Sequence, residues 1–255
     1  LVHDWLLGMR GGERCLEVLC GMFPRAEIFT AFLRREAMVP DIARCEITVS
    51  PLNSLPFCRA YYRYLLPLYP AAAQALGRSL ARSFAAKNYD LVISVSHCLA
   101  KNVPVPHGVH HLCYCLTPMR YIWDKYDSYF AHHRFEPIIS RVAARLRQWD
   151  REQTAGVTNF VAISRFVAKR IETTYGRSAD VIYPPVRSDW IAPRKENEKG
   201  EGFLCVSACV PYKNVDLIVR AFNELPYRLT VVGQGPMLGL LMKLARSNIR
   251  FVQQV

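Results

Sequence analysis

The fold follows from the opening stretch, Leu1-Val-His-Asp-Trp-Leu-Leu-Gly-Met-Arg-Gly-Gly12, which runs from an apolar strand end into a glycine-rich loop. Residues 13–23 then show helical spacing, with Leu16, Cys20 and Phe23 on one face. A strand, a glycine loop and a helix in that order predict the first unit of a parallel α/β sheet.

The glycine pair Gly11-Gly12 is the first candidate binding element. Glycine allows positive φ angles and lets a ligand come close to the backbone. The helix start beyond the pair supplies unpaired N–H groups and a partial positive charge, both of which suit phosphate. The stretch matches neither a P-loop nor G-x-G-x-x-G, so an ordinary tight turn remains the alternative.

Strands and helices alternate through the rest of the chain. In the first part, strands are predicted at 27–32, 89–96, 109–116 and 160–163, and helices at 56–87 (split near Pro67 and Pro70), 134–154 and 165–175, the last of them capped by Ser164. In the second part, strands are predicted at 203–207, 228–232 and 248–255, and helices at 214–225 and 236–245. Each part therefore predicts a parallel sheet.

A boundary is expected between the two parts. Adjacent prolines at 184 and 185 precede the polar run 192–202, which has the composition of a linker. The predicted domains are residues 1–183 and 184–255. A βαβ unit takes about 30 residues, so the second domain holds about half a sheet. Because the chain starts at Leu1 and stops in an apparent strand, both ends are expected to be cut.

The composition narrows the class of protein. The 255 residues are 51% hydrophobic and 21% charged, which excludes a disordered chain. No window approaches about 18 uninterrupted apolar residues, which argues against a membrane-spanning helix. Lys and Arg number 33 against 21 Asp and Glu, giving a formal charge of +12. That charge suits a polyanionic partner: a nucleic acid, an acidic membrane or a phosphorylated ligand.

The nine cysteines carry no metal-binding spacing, since no C-x-x-C occurs among them. We interpret them as buried, reduced thiols that pack as small apolar side chains. Reduced thiols predict a cytoplasmic protein.

Two further candidates follow strands of the second part. Lys213, just after strand 203–207, can reach a diphosphate as a point charge, although a lone lysine is more often a solvated surface residue. Gly233 and Gly235 follow strand 228–232 before the next helix, where they could contact a phosphate or nucleoside. A G-x-G pattern alone is weak evidence for such a site. Ligands bind at the carboxyl ends of parallel strands, so these residues are expected to share an edge.

The first part has its own strand-end candidates. His97 follows strand 89–96 and suits a contact with a sugar hydroxyl or phosphate, or the stabilisation of developing charge; a structural histidine is the alternative. Arg120 and Tyr121 lie in an aromatic stretch that suits a polar, ring-shaped ligand or, equally, a packed loop.

Together these stretches resemble the family 4 retaining glycosyltransferases of the GT-B fold, above all bacterial mannosyltransferases of surface-polysaccharide synthesis. The resemblance is carried by five stretches in family order: His3-Asp-Trp with Gly11-Gly-Glu13; Ser94, His97 and Lys101; His111 to Asp124; Ile163 to Gly176 with Val181-Ile-Tyr-Pro-Pro-Val186; and Val206 to Lys213 with Val232-Gly-Gln-Gly-Pro236. They cover nearly the whole chain and imply two Rossmann-like domains, the second incomplete here.

The resemblance implies a role for each candidate. Gly11 and Gly12 would line the cleft of donor diphosphate and acceptor, Lys213 would meet the diphosphate, and Gly233 and Gly235 would border the nucleotide. His97 would be catalytic, near the transferred sugar, while Arg120 and Tyr121 would line the substrate cleft. No metal or other cofactor is expected, because lysine and helix termini would neutralise the leaving diphosphate. Retention would proceed by front-face attack.

The implied reaction moves a hexose from a nucleotide-diphosphate sugar, GDP-mannose by resemblance, to a glycan or lipid-linked acceptor. Two departures from the family pattern matter. Ala208 stands where the family commonly has an arginine, five residues before the lysine. The family's downstream acidic motif would lie beyond Val255, so the 255 residues alone are expected to be inactive. A degenerate GT-B binding subunit is therefore an alternative.

The basic charge is concentrated in residues 47–123, where Asp90 is the one acid against seven bases. Such a region suits the anionic inner face of the plasma membrane, where a lipid-linked acceptor would be found and the protein would be peripheral. A solvated basic face is the alternative. Nucleic acid is a weaker candidate partner, because no RRM, KH, zinc-finger or basic-zipper pattern is present.

Overall fold

The computed structural model describes residues 1–130, 134–188 and 200–252. The chain forms two compact units, Leu1–Val186 and Arg187–Val255. The division falls three residues after the boundary expected from the sequence. Most of the polar run predicted as a linker, residues 192–199, lies outside the described residues.

The first unit contains a parallel sheet whose strands alternate with helices. Its elements are β1 (Val2–His3), α1 (Gly11–Met22), β2 (Ile28–Thr30), α2 (Pro40–Ala43), β3 (Ile47–Val49), α3 (Cys58–Tyr61), α4 (Tyr69–Lys87), β4 (Leu91–Ser96), β5 (His110–Cys115), α5 (Tyr126–Phe130), α6 (Glu136–Gln153), β6 (Asn159–Ala162), α7 (Arg165–Tyr175) and β7 (Asp180–Val181). In the described residues the strand order is β3-β2-β1-β4-β5-β6-β7, with every pair parallel. This is the predicted α/β architecture.

The edge strands β3 and β7 were not anticipated from the sequence. They are three and two residues long, too short for an alternating pattern to be visible. The helical region 56–87 is divided near the two prolines, as predicted, but the piece before α4 includes a 3-10 helix over Tyr62–Leu68, which contains Pro67. Pro70 lies in the first turn of α4. Ser164 caps α7 as predicted, since its Oγ accepts the N–H of Val167 at 3.2 Å.

Apolar side chains cover both faces of this sheet. Consecutive residues of β2 point to opposite sides, so that Ile28 packs with Leu16 in one core cluster and Phe29 packs with Tyr69 and Leu76 in another. The first cluster lies under α1 and α2, and the second under α4. The sheet is therefore the middle of three layers, as parallel sheets require.

All nine cysteines are unpaired thiols, and all but Cys205 are buried. The pKa of the Cys20 thiol is raised to about 12, mainly by burial. Burial also raises the pKa of Cys98 well above its usual value. The thiolate forms are disfavoured, so these side chains act as small apolar groups.

A buried ion pair joins the β4–β5 connection to α6. Nζ of Lys101 lies 2.6 Å from Oδ1 of Asp150, and neither side chain is exposed. Burial favours the neutral amine, but Asp150 outweighs it, so the pKa of Lys101 is raised. Asn102, Trp123 and Tyr175 also donate hydrogen bonds to this carboxylate, at 2.7, 2.8 and 2.7 Å. Four segments of the unit thus meet at one charge.

The second unit repeats the alternation on a smaller scale. It consists of β8 (Phe203–Val206), α8 (Val215–Asn223), β9 (Leu229–Val232), α9 (Leu238–Leu244) and β10 (Ile249–Val252). The described strands form a parallel sheet in the order β10-β9-β8. Val215, Val219, Val231 and Leu241 form its core. Across the described residues of both units, no helix is both long enough and apolar enough to span a bilayer.

Replacing Asp150 by asparagine tests the buried pair. The change leaves the Lys101 ammonium buried without a counter-charge, so Asp150→Asn is expected to lower the free energy of unfolding by about 3–5 kcal/mol. Urea denaturation followed by tryptophan fluorescence measures it. The matched control is Glu172→Gln, which removes the exposed pair with Lys169 and is expected to change stability by less than about 0.5 kcal/mol. Equal effects of the two variants would contradict this account.

Candidate functional site

The candidate site of the first unit is built at the carboxyl edge of its sheet, where β1 and β4 end side by side. His3 of β1 pairs with Val95 of β4, so Asp4 and His97 follow neighbouring strand ends. The carboxylate of Asp4 is completely buried. Its Oδ2 accepts the N–H groups of His97 (2.6 Å) and Cys98 (3.0 Å), and its Oδ1 accepts that of Ala100 (2.6 Å). One side chain therefore fixes the loop that carries His97.

The same carboxylate lies against the imidazole. Nδ1 of His97 lies 2.7 Å from Oδ2 of Asp4, and the ring meets the indole of Trp5 edge to face, with centroids 4.5 Å apart. The His97 side chain is 28% exposed. Since Nδ1 faces the buried carboxylate, Nε2 is the nitrogen left for a ligand.

The ionisation of Asp4 reflects this pairing. Burial by itself would raise the pKa of Asp4, but the charge and hydrogen bonding of His97 outweigh burial and hold that pKa well below its usual value. Asp4 is therefore a carboxylate at any pH near neutrality.

Gly11 and Gly12 correct one expectation. They are predicted in a loop ahead of a helix that starts at residue 13, where glycine allows positive φ angles, but α1 already begins at Gly11, and neither is among the positive-φ residues. What Gly12 provides is space: a Cβ there would lie 2.8 Å from Cδ1 of Leu116 and 3.3 Å from Cε1 of His3. A Cβ at Gly11 would meet nothing within 4 Å, so that side of the helix start is open.

The start of α1 already holds a carboxylate. Oε2 of Glu13 accepts the N–H of Arg10 at 3.1 Å, while Oε1 lies 4.0 Å from Nε2 of the buried His3. Burial raises the pKa of Glu13, but His3 more than compensates, and the pKa lies below its usual value. An anion bound beside Gly11 would share this helix terminus with Glu13.

Arg120 and Tyr121 lie in the turn after β5. Nε of Arg120 is 3.8 Å from Oδ2 of Asp124, and the Arg120 side chain is exposed. Tyr121 is partly buried and packs against the core cluster under α4. Arg170 of α7 donates to both Thr117 and Asp124 and so fastens this turn to α7. That Arg120 and Tyr121 line a substrate cleft remains a prediction.

The candidates of the second unit share an edge, as expected. Val206 pairs with Val232, so the loop carrying Lys213 and the glycines follow neighbouring strand ends. The two loops bond directly, since the N–H of Cys209 donates to Gln234 O at 2.8 Å and that of Met237 to Cys209 O at 3.0 Å.

The two glycines make this pairing sterically feasible. The φ angles of Gly233 and Gly235 are 153° and 154°. A Cβ would lie 1.9 Å from Ser207 O at the first and 2.3 Å from Cys209 O at the second. The glycines therefore serve the contact between two loops.

Lys213 is exposed, with Nζ 5.7 Å from the ring centre of Tyr212. Ala208, in the same loop after β8, is exposed as well. The ammonium at 213 is therefore accessible to an anion at this edge, while position 208 offers no charge.

Sequence reasoning missed Asp4 as a site residue. Its signal was available: a carboxylate that directly follows a strand in a parallel sheet stands where ligands bind. What the sequence did not reveal is that β4 ends beside β1, which places His97 against it. In the described residues, no group of three or more His, Cys, Asp and Glu side chains is arranged to hold a metal ion.

Comparison with known proteins gives a family match and several structural likenesses. The profile of Glycosyltransferase Family 4 matches residues 10–190. A curated protein of Mycolicibacterium smegmatis, a GDP-mannose-dependent alpha-(1-6)-phosphatidylinositol monomannoside mannosyltransferase, is 34% identical over 108 residues. That alignment covers 36% of this chain and 28% of the mannosyltransferase, little more than a quarter of its length.

Three solved structures illustrate the likeness in fold. The lipopolysaccharide outer core galactosyltransferase WaaB in its apo form is 16% identical, with a TM-score of 0.61, over 100% of this chain and 67% of that one. HepE from Anabaena in complex with UDP is 14% identical, with a TM-score of 0.61, over 100% and 69%. Sucrose-phosphate synthase from Thermosynechococcus elongatus is 12% identical, with a TM-score of 0.62, over 100% and 70%. These likenesses confirm the predicted GT-B fold.

Removing the Asp4 charge is expected to change the response to acid. The pKa of Asp4 is lower in the folded chain than in the unfolded one, so its stabilisation is present above pH 4 and is lost as the pH falls towards 2. Asp4→Asn should therefore reduce the slope of the free energy of unfolding against pH, in the acid range, by up to about 1.4 kcal/mol per pH unit. Urea denaturation at pH 2–7 measures it. The control Asp41→Asn, in an exposed pair with Arg44, should keep the parent slope.

The close contact at the glycines gives a second test. Gly233→Ala and Gly235→Ala are each expected to destabilise the second unit by at least about 2 kcal/mol, because a Cβ would overlap backbone atoms. Hydrogen exchange of the amides in β8, β9 and β10 reports it. Gly239→Ala is the control: a Cβ at this α9 position meets nothing within 4 Å, so protection should be unchanged or slightly higher. Unchanged exchange in all three variants would refute the close approach.

Proposed function

The chain belongs to Glycosyltransferase Family 4, and on that premise we propose that the full-length protein is a retaining transferase that moves a hexose from a nucleotide-diphosphate sugar to an acceptor. The observation that carries the proposal is the pairing of His97 with the buried Asp4 at the carboxyl edge of a parallel sheet. That edge is where ligands bind in α/β folds.

In the proposed mechanism, the first unit contributes an oriented imidazole. Asp4 holds the Nδ1 side of His97, which leaves Nε2 to hydrogen-bond the transferred hexose. As the bond to the diphosphate breaks, its electron pair leaves with the diphosphate and positive charge develops on the hexose, where the nearby negative charge of Asp4 would stabilise it. Gly11 contributes the open side of the start of α1, where backbone N–H groups can meet donor phosphate oxygens, and Gly12 lets this helix start pack closely on Leu116 and His3.

In the same proposal, the second unit binds the nucleotide. Lys213 is exposed next to the close-packed turn of Gly233 and Gly235, where it can neutralise the leaving diphosphate. We propose that lysine and helix termini take the place of a metal ion. The acceptor oxygen would attack from the same face that the diphosphate leaves, and the leaving phosphate would take its proton.

The identity of the donor is a finer proposal. The mycobacterial relative is a GDP-mannose-dependent mannosyltransferase, and HepE is in complex with UDP. GDP-mannose remains the first donor to test because it agrees with the resemblance of the motifs. We propose a glycan or lipid-linked acceptor of surface-polysaccharide synthesis, reached at the inner face of an anionic membrane by a cytoplasmic, peripheral protein.

Titration and turnover of the full-length protein test the proposal. Calorimetry with GDP and UDP should show binding of at least one, and Lys213→Ala should weaken it about 10–100-fold through the loss of a charge-assisted contact. Lys243→Ala, an exposed lysine of α9, should leave binding unchanged. His97→Ala should keep nucleotide affinity but slow hexose release from the matching donor by about 100-fold or more.

Other outcomes would overturn the proposal. Nucleotide binding with no hexose release by the parent protein would favour the degenerate binding subunit, for which Ala208 is the sequence evidence. Absence of binding to either nucleotide, together with salt-sensitive binding of nucleic acid, would favour the rival class.

A further inference from the structure

The segment between β3 and α4 exposes an unusual set of large apolar side chains. We call residues 55–68 the aromatic knob. Its exposed members are Leu55 (39%), Phe57 (77%), Tyr61 (59%), Tyr64 (77%) and Leu68 (43%). The rings of Tyr61 and Tyr64 lie 6.3 Å apart. Single exposed apolar residues are ordinary on a soluble protein, but a cluster of this kind marks an interaction surface.

The backbone of the knob is strained at one of its two most exposed aromatic residues. Phe57 has a φ angle of 55°, in the left-handed region that a bulky side chain rarely adopts. From this position it begins α3, whose Cys58 turns into the core while Phe57 itself stays in solvent. Strain kept at an exposed aromatic residue is typical of a binding segment.

The opposite side of the knob is firmly anchored. Tyr62 packs on Trp5 with ring centroids 4.9 Å apart, and its carbonyl accepts a 2.7 Å hydrogen bond from the buried Tyr69. Leu66 is also buried. Trp5 in turn contacts His97. The exposed aromatic residues therefore sit on a rigid base that is one side chain away from the candidate catalytic histidine.

Positive charge borders the knob. The exposed carboxylate of Glu36 is shared by Arg34 at 3.3 Å and Arg59 at 3.9 Å, so two guanidinium groups compete for one acid. Arg78 and Arg82 are exposed on α4, which continues directly from the knob. An apolar tip with exposed arginines in the same segment and in the helix that follows is complementary to the surface of an anionic bilayer, where aromatic rings lie at the level of the headgroups and arginines meet phosphates.

We propose that the aromatic knob docks the first unit on an anionic membrane, with Phe57, Tyr61 and Tyr64 inserted among the headgroups and Arg59, Arg78 and Arg82 facing the lipid phosphates. The inference rests on the proposed function for its purpose, which is to bring the site around His97 to a lipid-linked acceptor. It adds to that function a defined surface and a defined orientation.

Vesicle flotation of the full-length protein tests the docking surface. The parent should bind vesicles of phosphatidylcholine with one quarter phosphatidylglycerol more tightly than phosphatidylcholine alone. The double variant Phe57→Ser with Tyr64→Ser should lower the partition coefficient at least about tenfold, because it removes two rings that would be buried among the headgroups. The matched control is Phe166→Ser, which removes an equally exposed ring, 72%, from α7 and should leave partition unchanged. Arg78→Gln with Arg82→Gln should weaken binding to the anionic vesicles alone.

A second readout does not depend on removing apolar residues. Tyr64→Trp should add tryptophan fluorescence that brominated lipids quench, whereas the added fluorescence of Phe166→Trp should not be quenched. Equal partition of the parent and the knob variant, or no quenching at position 64, would overturn the proposal. The proposal would also be overturned if the parent bound no vesicles but self-associated, and if the knob variant lost that self-association. The knob would then be a protein interface.

The test separates this inference from the proposed function. The knob double variant should retain the affinity of the parent for GDP or UDP, because the knob lies outside the proposed nucleotide site. Vesicle binding through the knob by a protein that binds no nucleotide would defeat the proposed function and support the docking surface. Nucleotide binding and hexose release with no vesicle binding would support the proposed function and defeat the docking surface.

Discussion

The first unit depends on one buried carboxylate at the end of its first strand. Asp4 accepts three backbone N–H groups from the loop after β4 and faces the imidazole of His97. A buried charge is costly unless it is fully paired, and here the pairing partners are the loop and the ring that the site needs. The constraint that keeps the carboxylate stable is therefore the same one that positions the candidate catalytic group.

The two units build their strand-end loops by different means. In the first, charges are buried and satisfied: Asp4 holds one loop, and the pair of Lys101 and Asp150 joins four segments nearby. In the second, Gly233 and Gly235 let two loops pair through their backbones. Two accessible polar groups are assigned to ligands. They are the Nε2 side of His97 in the first unit and the ammonium of Lys213 in the second.

Prediction from sequence succeeded where the signal was local or periodic. The order of strands and helices, the cap at Ser164 and the shared edge of Lys213 with the glycines are all present. It placed the start of α1 after Gly11 and Gly12 instead of at Gly11, because glycine is typical of a loop and the close contact of Gly12 with the distant Leu116 is not visible in the sequence. It overlooked Asp4, although a carboxylate directly after a strand is a usable signal, and it overlooked Asp150, because a carboxylate in the sequence carries no mark of burial.

The sequence by itself determined the α/β class, the GT-B resemblance and the positions of the strand ends, because hydrophobic periodicity and glycine placement act over a few residues. Only the tertiary structure decided which strand ends are neighbours, and hence that Asp4 meets His97 across 93 positions of the chain. It also decided that Phe57, Tyr61 and Tyr64 of residues 55–68 are exposed while Tyr62 packs on Trp5. Contacts between distant segments and the burial of charge arise when the layers pack, and no local pattern encodes them.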